Sequence, residues 1–226
     1  MESKIKILML VVFTTISTFT FSQYSVGGGI STLHGAGIDI TRYGLNVYYE
    51  TPRTEVNTFY IRPTLMLPQK FISNNGSIQT TEEAFNQGVS PSVISDLRSV
   101  EKTTYFSIDG GTRIYFINTY DAGFSLYGGG HLKGIISNYS NEVDLTGLSI
   151  DPLFDPNNYV VPNTKAYALL FSFGGNFGAK YQLPYRGAIV FDLAIDLISR
   201  LYDPAVVLGN EISPLSLSFN LAYRFD

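Results

Sequence analysis

The segment LSLSFNLAYRFD, residues 215–226, carries a large apolar side chain at every second position: Leu215, Leu217, Phe219, Leu221, Tyr223 and Phe225. Ser216, Ser218, Asn220, Ala222 and Arg224 lie between them. A period of two sends successive side chains to opposite faces of a strand. One face of this strand therefore suits an apolar medium and the other a polar one.

Seven earlier segments repeat the pattern, making eight strands. The first, YSVGGGIS from Tyr24, is glycine-rich. The second runs from about Ile38 to Tyr49 with Tyr43, Leu45, Val47 and Tyr49 on one face, and a phase slip near Thr41 predicts a bulge there. The third sets Phe59, Ile61, Leu65 and Leu67 against Tyr60, Arg62, Thr64 and Met66; the fourth sets Phe106, Ile108, Ile114 and Phe116 against Ser107, Asp109, Gly111, Arg113 and Tyr115. The fifth alternates Phe124, Leu126 and Leu132 with Ser125, Tyr127, His131 and Lys133. In the sixth, Tyr167, Leu169, Phe171, Phe173, Phe177 and Tyr181 oppose Ala168, Ser172, Asn176 and Lys180; in the seventh, Ile189, Phe191, Leu193, Ile195 and Leu197 oppose Asp192, Ala194 and Asp196. TPRT (51–54), NTYD (118–121) and LPYRG (183–187) read as tight turns. Residues 69–102, 138–165 and 200–213 read as long polar loops, and the link around LHGAG is short. Long and short connections alternate, so they gather at opposite ends of the sheet.

At 226 residues the chain is one domain by length, with 15% charged residues, 14% aromatics and a net charge of -4. Lys4 and Lys6 precede an apolar run from Ile7 to Phe13 and then the small and polar TTISTFTFSQ, the pattern of a cleavable signal peptide over residues 1–23, with the domain proper over 24–226. The run is shorter than the roughly 20 residues of a membrane-spanning helix. Without cysteine, a disulfide scaffold and a lipid-anchored lipoprotein are excluded. No basic run or aromatic-basic interleaving suggests nucleic acid.

Side-chain size decides which face points out. An eight-stranded barrel has an interior just wide enough for side chains to fill, and the Phe, Leu, Ile and Tyr of the apolar face exceed it. Arg62, Asp109, Arg113, Lys133, Lys180, Asp192, Asp196 and Arg224 fall on the face of smaller residues, while the apolar face of the third to eighth strands carries no charge. A lipid-facing Arg or Lys near midplane costs about 2 to 4 kcal/mol, and a closed sheet leaves no unpaired backbone edge in lipid. Tyr49, Phe59, Phe116, Phe124, Tyr181, Tyr223 and Phe225 cluster near the short turns, as an interfacial girdle would. The expected fold is all-β: an eight-stranded antiparallel transmembrane up-and-down barrel with short periplasmic turns and long extracellular loops.

The tail resembles the C-terminal assembly signal of outer-membrane barrels, with Phe219, Leu221, Tyr223 and Phe225 in its pattern and Asp226 following. With the eight-strand spacing, the mature chain is similar in pattern to small OmpX-like, OmpA-barrel-like and PorT-like outer-membrane barrels. That resemblance implies a Gram-negative outer membrane, contact with its lipid, and assembly from the periplasm by the barrel-assembly machinery.

Candidate chemistry lies in the lumen and the loops. Arg42, Arg62, Arg113, Lys133, Lys180 and Arg224 face Asp109, Asp192 and Asp196, with His131 beside Lys133, and a salt-bridged network that fixes strand register is the expected role. Asp192 and Asp196 are about 13 Å apart by strand rise, too far to share a proton. Neither His131, with no adjacent acid along its strand, nor His34 sits in a recognisable catalytic or metal-ligating pattern, and no cofactor is expected. HLK at 131–133 lacks the His-x-Ser pattern sought for a lipid A-modifying enzyme. The GGG runs at 27–29 and 128–130 suit strand bending or close packing. The long loops hold ten acids, Glu82, Glu83, Asp96, Glu101, Glu142, Asp144, Asp151, Asp155, Asp203 and Glu211, against five bases. Loops 69–102 and 138–165 are where an extracellular ligand would bind. The expected function is non-enzymatic, in surface binding or envelope support, with a lipid A-modifying enzyme or a narrow channel as alternatives.

Overall fold

The computed structural model describes residues 24–35, 41–161, 164–184, 187–202 and 213–225. The expected signal peptide, the far half of the LHGAG link, Tyr185 and Arg186 of the LPYRG turn, most of the loop with Asp203 and Glu211, and Asp226 lie outside them. Ten strands are described: β1 (Ser25–Gly35), β2 (Thr41–Thr54), β3 (Asn57–Met66), β4 (Gln69–Thr80), β5 (Val93–Ile117), β6 (Phe124–Val143), β7 (Tyr159–Val160), β8 (Thr164–Gln182), β9 (Ala188–Tyr202) and β10 (Leu215–Phe225). One helical turn, α1 (Glu82–Asn86), starts at Thr81, whose hydroxyl accepts from the Ala84 amide at 3.1 Å.

Eight strands close into a ring in the order β1-β2-β3-β5-β6-β8-β9-β10, every neighbour antiparallel. The last strand pairs back onto the first, from Val26 opposite Phe225 to Gly35 opposite Ser216. The phase of each strand follows the alternation: Tyr60, Arg62, Thr64 and Met66 are buried while Ile61, Leu65 and Leu67 are exposed, and β10 buries Ser216, Ser218, Asn220, Ala222 and Arg224. On β5 the outward apolar residues run from Phe116 to Phe106, about 34 Å along the strand and about 26 Å in height at a tilt near 40°. An apolar belt of that height on a closed sheet matches the hydrocarbon layer of a bilayer.

Glycine permits the narrow bore. A Cβ on Gly129 would collide with the Thr112 carbonyl, and one on Gly27 with the Tyr48 ring. The inward glycines of the GGG runs, Gly27, Gly29 and Gly129, thus serve close packing.

The sheet corrects several expectations. The stretch 69–102 is mostly strand: β4 pairs with the outer part of β5, from Gln69 opposite Thr103 to Gln79 opposite Val93. β6 extends to Val143 and β8 begins at Thr164, so residues 138–143 are strand too. β5, β6 and β8 are 25, 20 and 19 residues long against 11 for β1 and β10, and they raise a wall of sheet on one side of the ring. β3 and β4 follow one course along β5, interrupted at Pro68, which has no amide to donate. Among the described residues no bulge follows Thr41, because the β1–β2 register runs unbroken from His34 opposite Thr41 to Ser25 opposite Glu50; the residues just before Thr41 lie outside the described ones. The slip lies between Pro52 and Thr54, where proline interrupts the ladder. TPRT is therefore strand, and the turn falls at Glu55 and Val56. In the β5–β6 turn Asn118 takes φ 62°, a conformation asparagine tolerates, and its amide donates to the Phe124 carbonyl at 2.5 Å.

Candidate functional site

The bore is filled in layers. At the short-turn end, Tyr48, Tyr115, Tyr120 and Tyr127 pack with Val190 and Ala222. Tyr120, from the β5–β6 turn, lies across the mouth: its hydroxyl is 2.5 Å from the Ser25 hydroxyl, and the Lys180 ammonium and Arg224 guanidinium each stand 4.6 Å from its ring centre. Burial pushes its pKa up to about 12. Arg224 also donates to the Gln182 side-chain oxygen at 2.8 Å.

Above this layer runs an alternating chain of charges. Glu50 accepts from Arg113 at 2.9 Å, Arg113 donates to Asp192 at 2.6 Å, Arg62 donates to Asp192 at 2.9 Å, and Arg62 reaches Asp109 at 3.1 Å. Neutral donors complete the carboxylates: Tyr127 donates to Asp192 at 2.7 Å, and Thr58 and Tyr115 donate to Glu50 at 2.6 and 3.1 Å. The Arg113 guanidinium lies 4.5 Å over the Tyr60 ring and 4.7 Å over the Tyr127 ring. β3 and β9 stand four places apart in the ring of eight, so the Arg62–Asp192 pair ties opposite walls directly across the bore.

A second cluster gathers on Asp196. His131 Nε2 is 2.6 Å from one carboxylate oxygen and Lys133 donates to the other at 2.6 Å, with the Ser172 and Ser218 hydroxyls at 3.2 and 3.4 Å. Toward the long-loop end the bore turns apolar: Met66, Tyr105, Ile135 and Leu170 pack together against Leu33 and Ile198. Arg42 lies 4.2 Å over the Tyr105 ring.

All nine expected lumen residues are buried and face inward: Arg62, Asp109, Arg113, His131, Lys133, Lys180, Asp192, Asp196 and Arg224. Three features differ from expectation. Glu50, fully buried, is a lumen acid that the sequence reading overlooked because it precedes the apparent turn TPRT. His131 does have an acid, Asp196, two strands away across β8, a proximity set by register rather than spacing. The lumen is not uniformly polar, and its apolar layer shows in the sequence where alternation lapses, at Ile135–Ile136 and Leu169–Leu170.

Chemically, the His131–Asp196 pair joins an imidazole to a buried carboxylate. The nearby serine hydroxyls bond the carboxylate, and no described group bonds His131 Nδ1. Among the described residues no group of His, Asp and Glu could hold a metal ion. In the loops, Asp144, Asp151 and Asp155 accept from the amides of Thr146, Leu153 and Asn157 at 3.0, 2.9 and 2.9 Å. They stabilise local turns, and the bonds from Thr146 hold the Asp144 carboxyl below the usual carboxylate range.

No protein-family model and no curated protein matches the sequence. Among solved structures the chain is similar to Ail, the attachment invasion locus protein of Yersinia pestis, in complex with the heparin analogue sucrose octasulfate, at 12% identity and a TM-score of 0.46, covering 89% of this chain and 97% of that one. It is similar to Neisserial surface protein A at 9% identity and a TM-score of 0.44, covering 89% and 94%. A major outer membrane protein from Thermus thermophilus gives 11% identity and a TM-score of 0.47, covering 89% and 99%. These neighbours are small outer-membrane β-barrel proteins. At such scores the fold of this chain rests on its own closed ring and outward apolar belt.

Proposed function

We propose that this chain is an integral outer-membrane barrel with a plugged bore, acting through the wall of sheet and loops on its long-loop side, in binding a surface partner or supporting the envelope. The observation that carries this reading is the Arg62–Asp192 bridge across the bore, backed by a tyrosine layer on one side and an apolar layer on the other. Among the described residues, layers packed in this way speak against a continuous polar path. The raised wall is where surface is left for recognition, and side chains near its far end suit contact with a partner: Leu153 is 92% exposed, Ile150 79% and Phe85 63%. In this reading the short turns face the periplasm, the C-terminal strand is read by the barrel-assembly machinery, and the chain does no enzymatic work.

The test separates scaffold from loops. Residues 82–91 and 145–158 lie beyond the paired strands, and shortening loops changes closure entropy little. Replacing each with a few Gly and Ser should leave outer-membrane fractionation and the heat-dependent gel shift of a folded barrel unchanged. In a deletion strain the shortened form should fail to restore surface binding or the envelope phenotype. Full rescue by the shortened form would return the function to the lumen or the lipid-facing wall. Measurable conductance of the wild type in planar bilayers would favour a channel, and an altered lipid A acyl pattern in the deletion strain an enzyme.

A further inference from the structure

Just above the apolar belt the outward face carries a charge pattern that closing the ring does not require. Lys70 of β4 is the direct cross-strand partner of Lys102 of β5, Lys102 pairs with Ser140 of β6, and Ser140 pairs with Lys165 of β8. The three lysines are exposed and stand in one line across four strands, within about 15 Å. Like charges directly opposite in a ladder destabilise it. Among the described residues none of the three is ion-paired to a carboxylate. Glu142 lies on the same face one row farther out, which leaves the group a net positive charge.

The height of this row fits a lipid headgroup. Lys102 is four residues beyond Phe106, about 13 Å along the strand and about 10 Å in height. An ammonium on its flexible stem reaches back from there to the headgroup layer. The row immediately below holds Thr104, Asn138 and Tyr167, and with Lys102, Ser140 and Lys165 these line a groove of about 370 Å³. Ammonium, hydroxyl and amide donors thus converge above an apolar wall.

We infer that this lysine row docks the phosphates of an outer-leaflet lipid headgroup, with the acyl chains lying on the apolar face beneath it. The inference rests on the outer-membrane reading above, and its test keeps the two apart. The folded mature chain in detergent micelles is titrated with lipid A, with fully dephosphorylated lipid A and with inorganic phosphate, and binding is read by native mass spectrometry. The variants are the triple Lys70→Gln/Lys102→Gln/Lys165→Gln, the single Lys102→Gln, and Arg53→Gln at the opposite end as control. The heat-dependent gel shift reports folding of each.

The expected result is selective, salt-sensitive binding of lipid A by wild type and Arg53→Gln. It should weaken about fivefold for Lys102→Gln and roughly hundredfold for the triple. Equal binding of the dephosphorylated lipid, a triple variant within about twofold of wild type, or displacement of lipid A by equimolar inorganic phosphate overturns the inference. Should the triple variant not fold, Lys102→Gln and the salt dependence of the wild type decide it by the same criteria. A wild type that shows no heat shift and fractionates as soluble overturns the membrane reading itself.

Discussion

Asp192 is the hub of the lumen network, and neutralising it tests whether the network stabilises the fold. It accepts from two guanidinium groups and one phenol while 2% exposed. A hydrogen bond to a charged group contributes about 1.5 to 3 kcal/mol and a neutral one about 0.5 to 1.5. Asp192→Asn keeps the shape and one acceptor oxygen, so it forfeits mainly the charge-assisted part of two arginine bonds, about 2 to 3 kcal/mol in all. Arg62 still holds Asp109 and Arg113 still holds Glu50, which caps the loss. Asp192→Ala also removes the remaining acceptor and should reach the roughly 3 to 5 kcal/mol typical of breaking a buried pair. Asp109→Asn weakens one arginine bond and should cost about half as much as Asp192→Asn. The chain has no tryptophan, so urea unfolding in lipid vesicles is best followed by the gel shift and by circular dichroism. A cost for Asp192→Asn within about 0.5 kcal/mol of zero, or equal to that of Asp109→Asn, would refute the hub assignment.

Next to Asp192, Leu193 faces outward near the middle of the belt, between Phe177 and Phe219. Leu193→Arg should lower stability in vesicles by about 2 to 4 kcal/mol and Leu193→Phe should be mild, so equal tolerance of the two would contradict a lipid-facing position. Gly129→Ala places a methyl against the Thr112 carbonyl, whereas a Cβ on Gly130 meets nothing nearer than the Gly174 carbonyl at 3.7 Å. The first should impair assembly, seen as a lost heat shift, and the second should not; the reverse order would place the bore on the wrong face.

Inside the belt the sequence is easy to read because its two faces meet different surroundings. Phe106 and Ile108 against Ser107 and Asp109 leave no ambiguity of phase. Beyond the belt both faces of the sheet meet water and the contrast fades. Lys70 and Ile72 share one face and Phe71 and Ser73 the other, which is why a paired strand reads there as a polar loop. Pairings across the bore are hidden for another reason. Asp196 meets His131 through the registers of two ladders, β6 with β8 and β8 with β9, and alternation fixes the face of a residue without fixing its height. Glu50 shows the smaller failure, a strand end mistaken for a turn because Pro52 and Arg53 follow it.

That distinction between face and height explains why a sealed bore holds so many charges. A slip of one residue between neighbouring strands turns every side chain to the wrong face, and the belt alone forbids it. A slip of two keeps both faces, and the belt scarcely resists, since Leu193 and Ile195 are interchangeable to lipid. The lumen does resist. Moving β9 by two residues against β8 would bring Ala194 or Val190 to the place of Asp192, taking one carboxylate partner each from Arg62 and Arg113 in a buried site where a lost partner is costly. A slip of two between β8 and β6 would likewise bring Asn176 or Lys180 of β8 toward the Tyr127 ring that packs over Gly178. The outward residues thus select the medium, while the buried charges and the glycines beside the tyrosines select one register among those the medium allows.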